Sequence, residues 1–429
     1  MATTKNILEC LRCGTGYQDP WMFEGCPKCA EEGHNVNLSA VLPVGSETWP
    51  GFFRANEQPN GEPGWDGLWR YRDMMPVGHD YITTLGEGQT PLLRLENLGE
   101  SLGMGALFLK DEGRNPTWSY KDRFCSVAVS KARELKAKVI TISTSGNHGA
   151  ATAAYAAKAG LPCVVFTIPD VPDTIKTLMQ VYGAYLIVVP TAQDRWALMR
   201  QCIDQFGWYP ASGYMNPPVG SNPWGIEGYK TIAYEIVAQL GGRSPEWVIV
   251  PTAYGDGLYG TWKGFKELKA MGAIDRLPKM VAAERFGPLA RTLELGSEQV
   301  SQVEASSSVA FSIANGISTY QALKALKESG GLAITASDEE IMEMQKTLAA
   351  SEGIYGEASS VIALNIAAKL RTQGQAAADD TVVAVLTSSG LKDTVATAEI
   401  LPPPPQIAPE LAELRQALEQ TYDFTAELG

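Results

Sequence analysis

One lysine, four strand-end loops and two cysteine pairs carry the chemistry that this 429-residue sequence can offer. In "NPTWSYKDRF" (115–124) an Asn-Pro turn leads through Trp118 and Tyr120 to Lys121, just ahead of an apolar-periodic run. The Lys121 amine is either a solvated surface charge, the commoner fate of lysine, or a nucleophile. "STSGNHGA" (143–150) sets Thr144, Ser145, Gly146, Asn147, His148 and Gly149 between a β-branched run and an alanine-rich helix. Free backbone N–H groups and the positive end of a helix dipole can hold a carboxylate there. "PTAYGDGLYGTWKGF" (251–265) repeats the arrangement, with Ala253, Tyr254, Gly255, Asp256 and Gly257 open to close approach by a phosphate. "EGIYGEASS" (352–360) leads into a helix, and "TSSG" (387–390) ends a strand with three hydroxyls, Thr387 first.

Any one glycine-rich turn of this kind is more often only a tight connection. Together with Lys121 they meet the needs of pyridoxal phosphate: an amine for the aldehyde, amides for the phosphate, a partner for the ring nitrogen, and amides for a substrate carboxylate. Cys10, Cys13, Cys26 and Cys29 form two C-x2-C pairs twelve residues apart. Such pairs aim four thiolates at one tetrahedral Zn2+, closed and therefore structural, predicting a zinc ribbon over residues 1–35. Two disulfides, or a ribbon without its metal, are the other readings. His34 and His79 fall into no pattern.

These groups need elements to position them. Short apolar runs, "KVITIS" (138–143), "CVVFTI" (163–168), "YLIVVP" (185–190), "WVIVP" (247–251), "MVAA" (280–283) and "TVVAVLT" (381–387), alternate with helical stretches. The helical stretches are 149–159, 194–206, 230–240, 319–329 and 338–350. Strand, helix, strand at this spacing predicts an α/β fold with parallel sheets buried on both faces. Its ligands should sit beyond the carboxyl ends of the strands, where the loops above lie. Residues 35–80, rich in Gly, Pro and Trp, read as an irregular wrap. "LPPPP" (401–405) stops the last element, and a helix over 410–422 closes the chain.

Composition narrows the partners. Thirty-five basic against 48 acidic side chains give a net charge of −13, with no basic cluster to hold nucleic acid. No apolar run is long enough to span a bilayer, and no secretory or arginine-rich leader is visible; the expected location is cytoplasmic.

The segments "GEGQTPLLRL" (86–95), "NPTWSYKDR" (115–123), "TSGNHGAATAAYAAKAGL" (144–161), "EGYKTIAYEI" (227–236), "WKGFKEL" (262–268), "EGIYGEAS" (352–359) and "LTSSGLKD" (386–393) resemble, in order, the threonine synthases. These belong to the tryptophan-synthase-β-like, fold-type-II pyridoxal-phosphate enzymes, and the resemblance runs from about residue 80 to residue 395. It implies two doubly wound α/β domains with the cofactor between them. The large domain would comprise 36–113 and 213–400, the small one 114–212, with 401–429 as a C-terminal stop and helix. It also implies that Lys121 is the Schiff-base lysine and general base, and that Asn147 bonds the cofactor's phenolic oxygen. Residues 253–257 would cradle its phosphate and Thr387 would face the pyridine nitrogen. Thr144, Ser145, Gly146, His148, Gly149 and Trp118 would meet a small amino-acid substrate. Relatives are commonly homodimers.

The departures bear on the substrate. Threonine synthases read N-x-x-N-P-x-R-x-E-G-x-K-T, whose first asparagine and arginine grip the phosphate of O-phosphohomoserine; this chain reads "VGSNPWGIEGYKT" (219–231), with Val219 and Gly225 at those positions. His148 replaces a third phosphate contact, a threonine. Losing the arginine removes a charge-assisted interaction that no neutral residue replaces. Tyr254 and Asp256 stand where asparagine and glycine are usual, so the Asp256 carboxylate must point outward, meet a cation or engage the substrate. Trp118, at a family glycine, should narrow the pocket; with His148, Trp224 and Tyr254 it implies a more aromatic substrate side. "SGNHG" also resembles serine and threonine dehydratases and diaminopropionate ammonia-lyases, where the histidine is either a proton donor or structural. The expected function is a pyridoxal-phosphate lyase or synthase, with α-proton abstraction and β- or γ-elimination or replacement. A threonine synthase, a dehydratase or ammonia-lyase, and a non-catalytic cofactor carrier are the alternatives.

Overall fold

The computed structural model describes residues 7–42, 67–144 and 146–424. Part of the 35–80 wrap, and Ser145, lie outside these residues. Three short strands, β1 (Leu8–Cys10), β2 (Gly16–Tyr17) and β3 (Leu38–Ala40), form an antiparallel sheet that carries the cysteine pairs. The chain then lays down β4 (Leu92–Arg94) and β5 (Ala106–Asp111) of a second sheet. It leaves through helix α1 (Lys121–Glu134) for a third sheet made of β6 (Ile140–Ser143), β7 (Cys163–Thr167), β8 (Tyr185–Val188) and β9 (Tyr209–Pro210). Helix α2 (Asn147–Ala159) follows β6, and α3 (Ala192–Phe206) follows β8. The return supplies β10 (Trp247–Pro251), α4 (Asp256–Ala270), β11 (Lys279–Glu284), α5 (Tyr320–Ser329), β12 (Leu332–Thr335), α6 (Ala358–Thr372) and β13 (Thr381–Leu386).

The six-stranded sheet runs β12-β11-β10-β13-β5-β4, parallel except for β4, and the four-stranded one runs β8-β7-β6-β9, all parallel. Central strands such as β10 and β13 are buried almost throughout, as their unbroken apolar runs require. β8 departs from that expectation. It lies at an edge of its sheet and is largely exposed, because an edge strand has a neighbour on one side only. β4, β5, β9 and β12 have no counterpart among the predicted runs, because such short segments lack a period that separates them from loops.

The start of α1 is held by charge as well as packing. Arg123, fully buried, donates to Glu112 at 2.7 Å and to Glu235 at 2.6 Å; Lys110, equally buried, donates to Glu235 at 2.7 Å. Two cations and two carboxylates thus neutralise one another between β5, α1 and the helix Lys230–Gln239. Removing one partner would strand a buried charge, a loss of roughly 3–5 kcal/mol. All of this lies in a compact unit that ends at Lys392; a second unit from Asp393 holds helices Val395–Ile400 and Leu411–Tyr422. Among the described residues no helix is long and apolar enough to cross a membrane.

Candidate active site

Lys121 is the first residue of α1, and the loop before it is stitched to the end of β13. Tyr120 N donates to Thr387 O at 2.8 Å, Ser389 N to Trp118 O at 3.0 Å, and Lys392 Nζ to Thr117 O at 2.7 Å. The last strand of the larger sheet therefore decides where the lysine emerges. Its Nζ stands 4.9 Å from the Tyr120 ring centre and 5.8 Å from that of Tyr229, and it forms no ion pair among the described residues.

Opposite, Asn147 opens α2 at the end of β6. Its Nδ2 donates to Glu357 Oε2 at 2.7 Å, and Glu357 also accepts from Ser312 Oγ at 2.8 Å. Asn147 Oδ1 and His148 Nε2 are buried without a protein partner. Burial, and then the charge of Lys121, hold the His148 imidazole well below its usual pKa, and its ring stands edge-on to Phe124 at 4.6 Å. A histidine kept neutral in this way is a poor proton donor at neutral pH, which favours its structural reading.

The glycine loop faces the same space. Gly255 has φ +81°, and a Cβ there would stand 2.2 Å from Ala322 Cβ; one on Gly257 would stand 2.6 Å from the Tyr120 ring. Ser318 Oγ donates to Ala253 O at 2.7 Å and Thr319 Oγ1 to Tyr254 O, so these carbonyls are engaged away from the first turn of α4. The N–H groups of that turn have no intrahelical acceptor, which is what a phosphate requires. Asp256 takes a course that the sequence left open. Its carboxylate accepts from Ser221 N at 3.0 Å, Ser221 Oγ at 2.7 Å and Gln321 Nε2, so it tethers neighbouring chain. Thr387 Oγ1 lies 2.8 Å from Ser360 Oγ. Lys121, Thr144, Gly146, Asn147, His148, residues 253–257 and Thr387 line a single cleft.

The model of the family described as "Pyridoxal-phosphate dependent enzyme" matches residues 83–388. The chain belongs to that family. This pyridoxal-phosphate dependent enzyme is 35% identical to the threonine synthase of Methanocaldococcus jannaschii over 362 residues, 82% of this chain and 87% of the relative. It is 32% identical to the threonine synthase of Methanosarcina acetivorans over 418 residues, 96% and 98% of the two chains. Diaminopropionate ammonia lyase from Escherichia coli shares its fold, with a TM-score of 0.64 at 19% identity over 74% of this chain and 88% of that one. The enzyme is thus an α/β, fold-type-II, threonine-synthase-like lyase or synthase.

The cleft of this pyridoxal-phosphate dependent enzyme fits its family's cofactor: the Lys121 amine, the Asn147 carboxamide and a glycine cradle that tolerates no Cβ converge there. Three expected contacts are not brought to it. Trp118 is 43% exposed and does not line the cleft. Its φ is +62°, the left-handed region that suits the family's glycine, so the backbone rather than the pocket explains that position. Gly149 faces inward instead. A Cβ there would lie 2.4 Å from Thr144 Cγ2 and 2.6 Å from Met179 Sδ, so its smallness serves packing. Trp224 is buried, with its indole N–H on Pro20 O at 3.0 Å and Lys131 over its ring, away from the cleft.

The altered phosphate-grip positions are filled by packing. A Cβ on Gly225 would meet the Phe124 ring at 2.6 Å, and Val219 is buried against Gly25 of the cysteine-bearing segment. Ser312, Asn315, Arg195 and Trp196 also line the cleft of the enzyme without having been among the predicted site residues, and Ser359, from the predicted loop 352–360, joins them. Glu357 and Ser359 fell within a loop singled out for chemistry; Arg195 and Trp196 carried no signal, since charged and aromatic residues at a helix start are commonplace.

In the N-terminal segment, the Sγ atoms of Cys10, Cys13, Cys26 and Cys29 lie within 4.8 Å of one another. All are free thiols, with Cys10 to Cys29 at 3.6 Å and Cys13 to Cys26 at 3.7 Å. These separations far exceed a disulfide bond of about 2.05 Å.

Proposed function

We propose that the enzyme removes the α-proton of an amino acid and eliminates, or eliminates and replaces, a β- or γ-substituent, without the usual phosphohomoserine grip. Bound pyridoxal phosphate supplies the electron sink that makes the α-proton removable. Lys121 holds the cofactor and then takes the α-proton on its Nζ. Asn147, oriented by Glu357, keeps a second amide N–H for the ring oxygen. The amides of residues 253–257 would hold its phosphate, and the Thr387 hydroxyl would serve its ring nitrogen. Thr144, Ser145 and Gly146 seat the substrate carboxylate. Residues 114–212 act as the small domain, and 36–113 with 213–400 as the large one. The four-cysteine cluster binds a structural Zn2+, whose tetrahedral sulfur shell its spacing suits. The enzyme works in the cytoplasm as a homodimer.

One observation carries this reading: Lys121, Asn147, the glycine loop and Thr387 meet in one cleft, while Phe124 closes the position of the family's arginine. Borohydride trapping followed by mass mapping should label Lys121. Steady-state assays on O-phosphohomoserine, serine, threonine, O-phosphoserine and diaminopropionate should find turnover outside phosphohomoserine. Efficient threonine formation from phosphohomoserine alone would favour the second reading, a threonine synthase, which the similarity to those enzymes supports.

A further inference from the structure

Arg195 lies in the first turn of α3, yet it is only 8% exposed and lines the cleft. Its Nε and Nη1 are buried without a hydrogen-bond acceptor, and no carboxylate pairs with it among the described residues. A guanidinium cannot shed its charge in a protein, so a buried one with open donors needs an anion. The carboxylate that lines the cleft with it, Asp256, is committed to Ser221 and Gln321. Beside it Trp196 packs on Tyr254, with ring centres 6.2 Å apart, forming a wall that would exclude water from an ion pair.

We infer that Arg195 is a specificity-determining residue that binds an anionic group, phosphate ester or carboxylate, on the substrate side chain. It would take over, from a different helix, the task that Gly225 cannot perform. The inference rests on the proposed function, in which the cofactor's phosphate already has the glycine loop and the α-carboxylate has the loop before α2. That leaves the distal end of the substrate for the guanidinium. Its planar fork suits either oxyanion, and lysine would reproduce the charge but not the paired geometry.

The test uses the cofactor-loaded enzyme and Arg195→Gln and Arg195→Lys variants. The ratio of kcat/KM for O-phosphoserine, O-phosphohomoserine or aspartate to that for serine should fall on the order of 100-fold in Arg195→Gln, and less in Arg195→Lys. The substrate whose ratio falls most separates phosphate from carboxylate. Independently of turnover, inorganic phosphate or malonate should raise the melting temperature of the unmutated holoenzyme and raise it less in Arg195→Gln. An unchanged ratio, or absence of anion stabilisation in the unmutated holoenzyme, would overturn the inference. So would weakened cofactor retention as the main defect, which would assign Arg195 to the cofactor. Borohydride labelling separates the two readings: with Lys121 labelled, such results defeat the role of Arg195 alone; with Lys121 unlabelled, the proposed function itself fails.

Discussion

Asn147 and Glu357, 210 positions apart in the chain, are joined by a 2.7 Å hydrogen bond from Nδ2 to Oε2. The bond ties the start of α2 to the loop before α6, and so fixes the amide across the cleft from the larger sheet. Glu357 is 1% exposed and also accepts from Ser312, so its geometry is set from two sides. Glu357→Ala should therefore free the Asn147 amide to rotate. The expected loss in kcat is on the order of 10–100-fold, since misplacement of a positioning group by about 1 Å has that scale of effect. A shift in the visible absorbance of the bound cofactor, alongside steady-state kinetics, would distinguish this from simple instability.

Gly225→Arg tests whether the family's phosphate grip can be restored by sequence alone. Because a Cβ at Gly225 already meets the Phe124 ring at 2.6 Å, the new side chain must displace a buried aromatic residue. Overpacking of this kind costs about 1–3 kcal/mol or more. Denaturant unfolding should show that loss, and assays should show no gain in turnover of O-phosphohomoserine. A gain without loss of stability would mean that Phe124 moves freely aside.

Trp118→Gly should stabilise the protein. The tryptophan is exposed and held at φ +62°, a conformation that costs a residue with Cβ roughly 1–2 kcal/mol and glycine almost nothing. The greater entropy of glycine in the unfolded chain offsets part of this, leaving a gain of up to about 1 kcal/mol. Urea midpoints of the two proteins would show it, and a lower midpoint for the variant would refute the strain argument.

Glu284 predicts a pH dependence away from the cleft. Burial pushes its carboxyl up from 4.5 to about 7, against the lowering effect of hydrogen bonds from Leu289 N and Ala290 N at 3.0 Å each. The folded state then binds more protons than the unfolded state between those values, so its contribution to stability is full at the acid end and declines as pH rises towards 7. Glu284→Gln should reduce the difference in unfolding free energy between mildly acidic and neutral pH by about 1–3 kcal/mol. Asp122, raised to about 7 chiefly by burial, has the same sign and will leave a residual slope.

What could be read from the chain were features whose cause is local. Apolar runs of β-branched residues bounded by glycine and serine mark buried parallel strands wherever they occur, and β6, β10 and β13 follow them closely. Helix-start loops announce anion seats because free N–H groups and missing side chains are properties of the backbone. Such features single out the loops around Asn147, residues 253–257 and Thr387, but the roles expected of Lys121, Asn147 and Thr387 come from the resemblance of their motifs, in order along the chain, to the threonine synthases.

The tertiary structure decided which side chains share a space and which way they face. Whether Trp118 narrows a pocket depends on a positive φ set by hydrogen bonds to Ser388 and Ser389. Whether Asp256 meets ligand or protein depends on Ser221 and Gln321, brought to it by separate segments. Arg195 reads along the chain as one more charged residue on an amphipathic helix; only burial and the lack of an acceptor set it apart. Such facts arise from non-local contacts, where the energy of a polar group is fixed by neighbours far away in sequence, and no spacing of residue types encodes them.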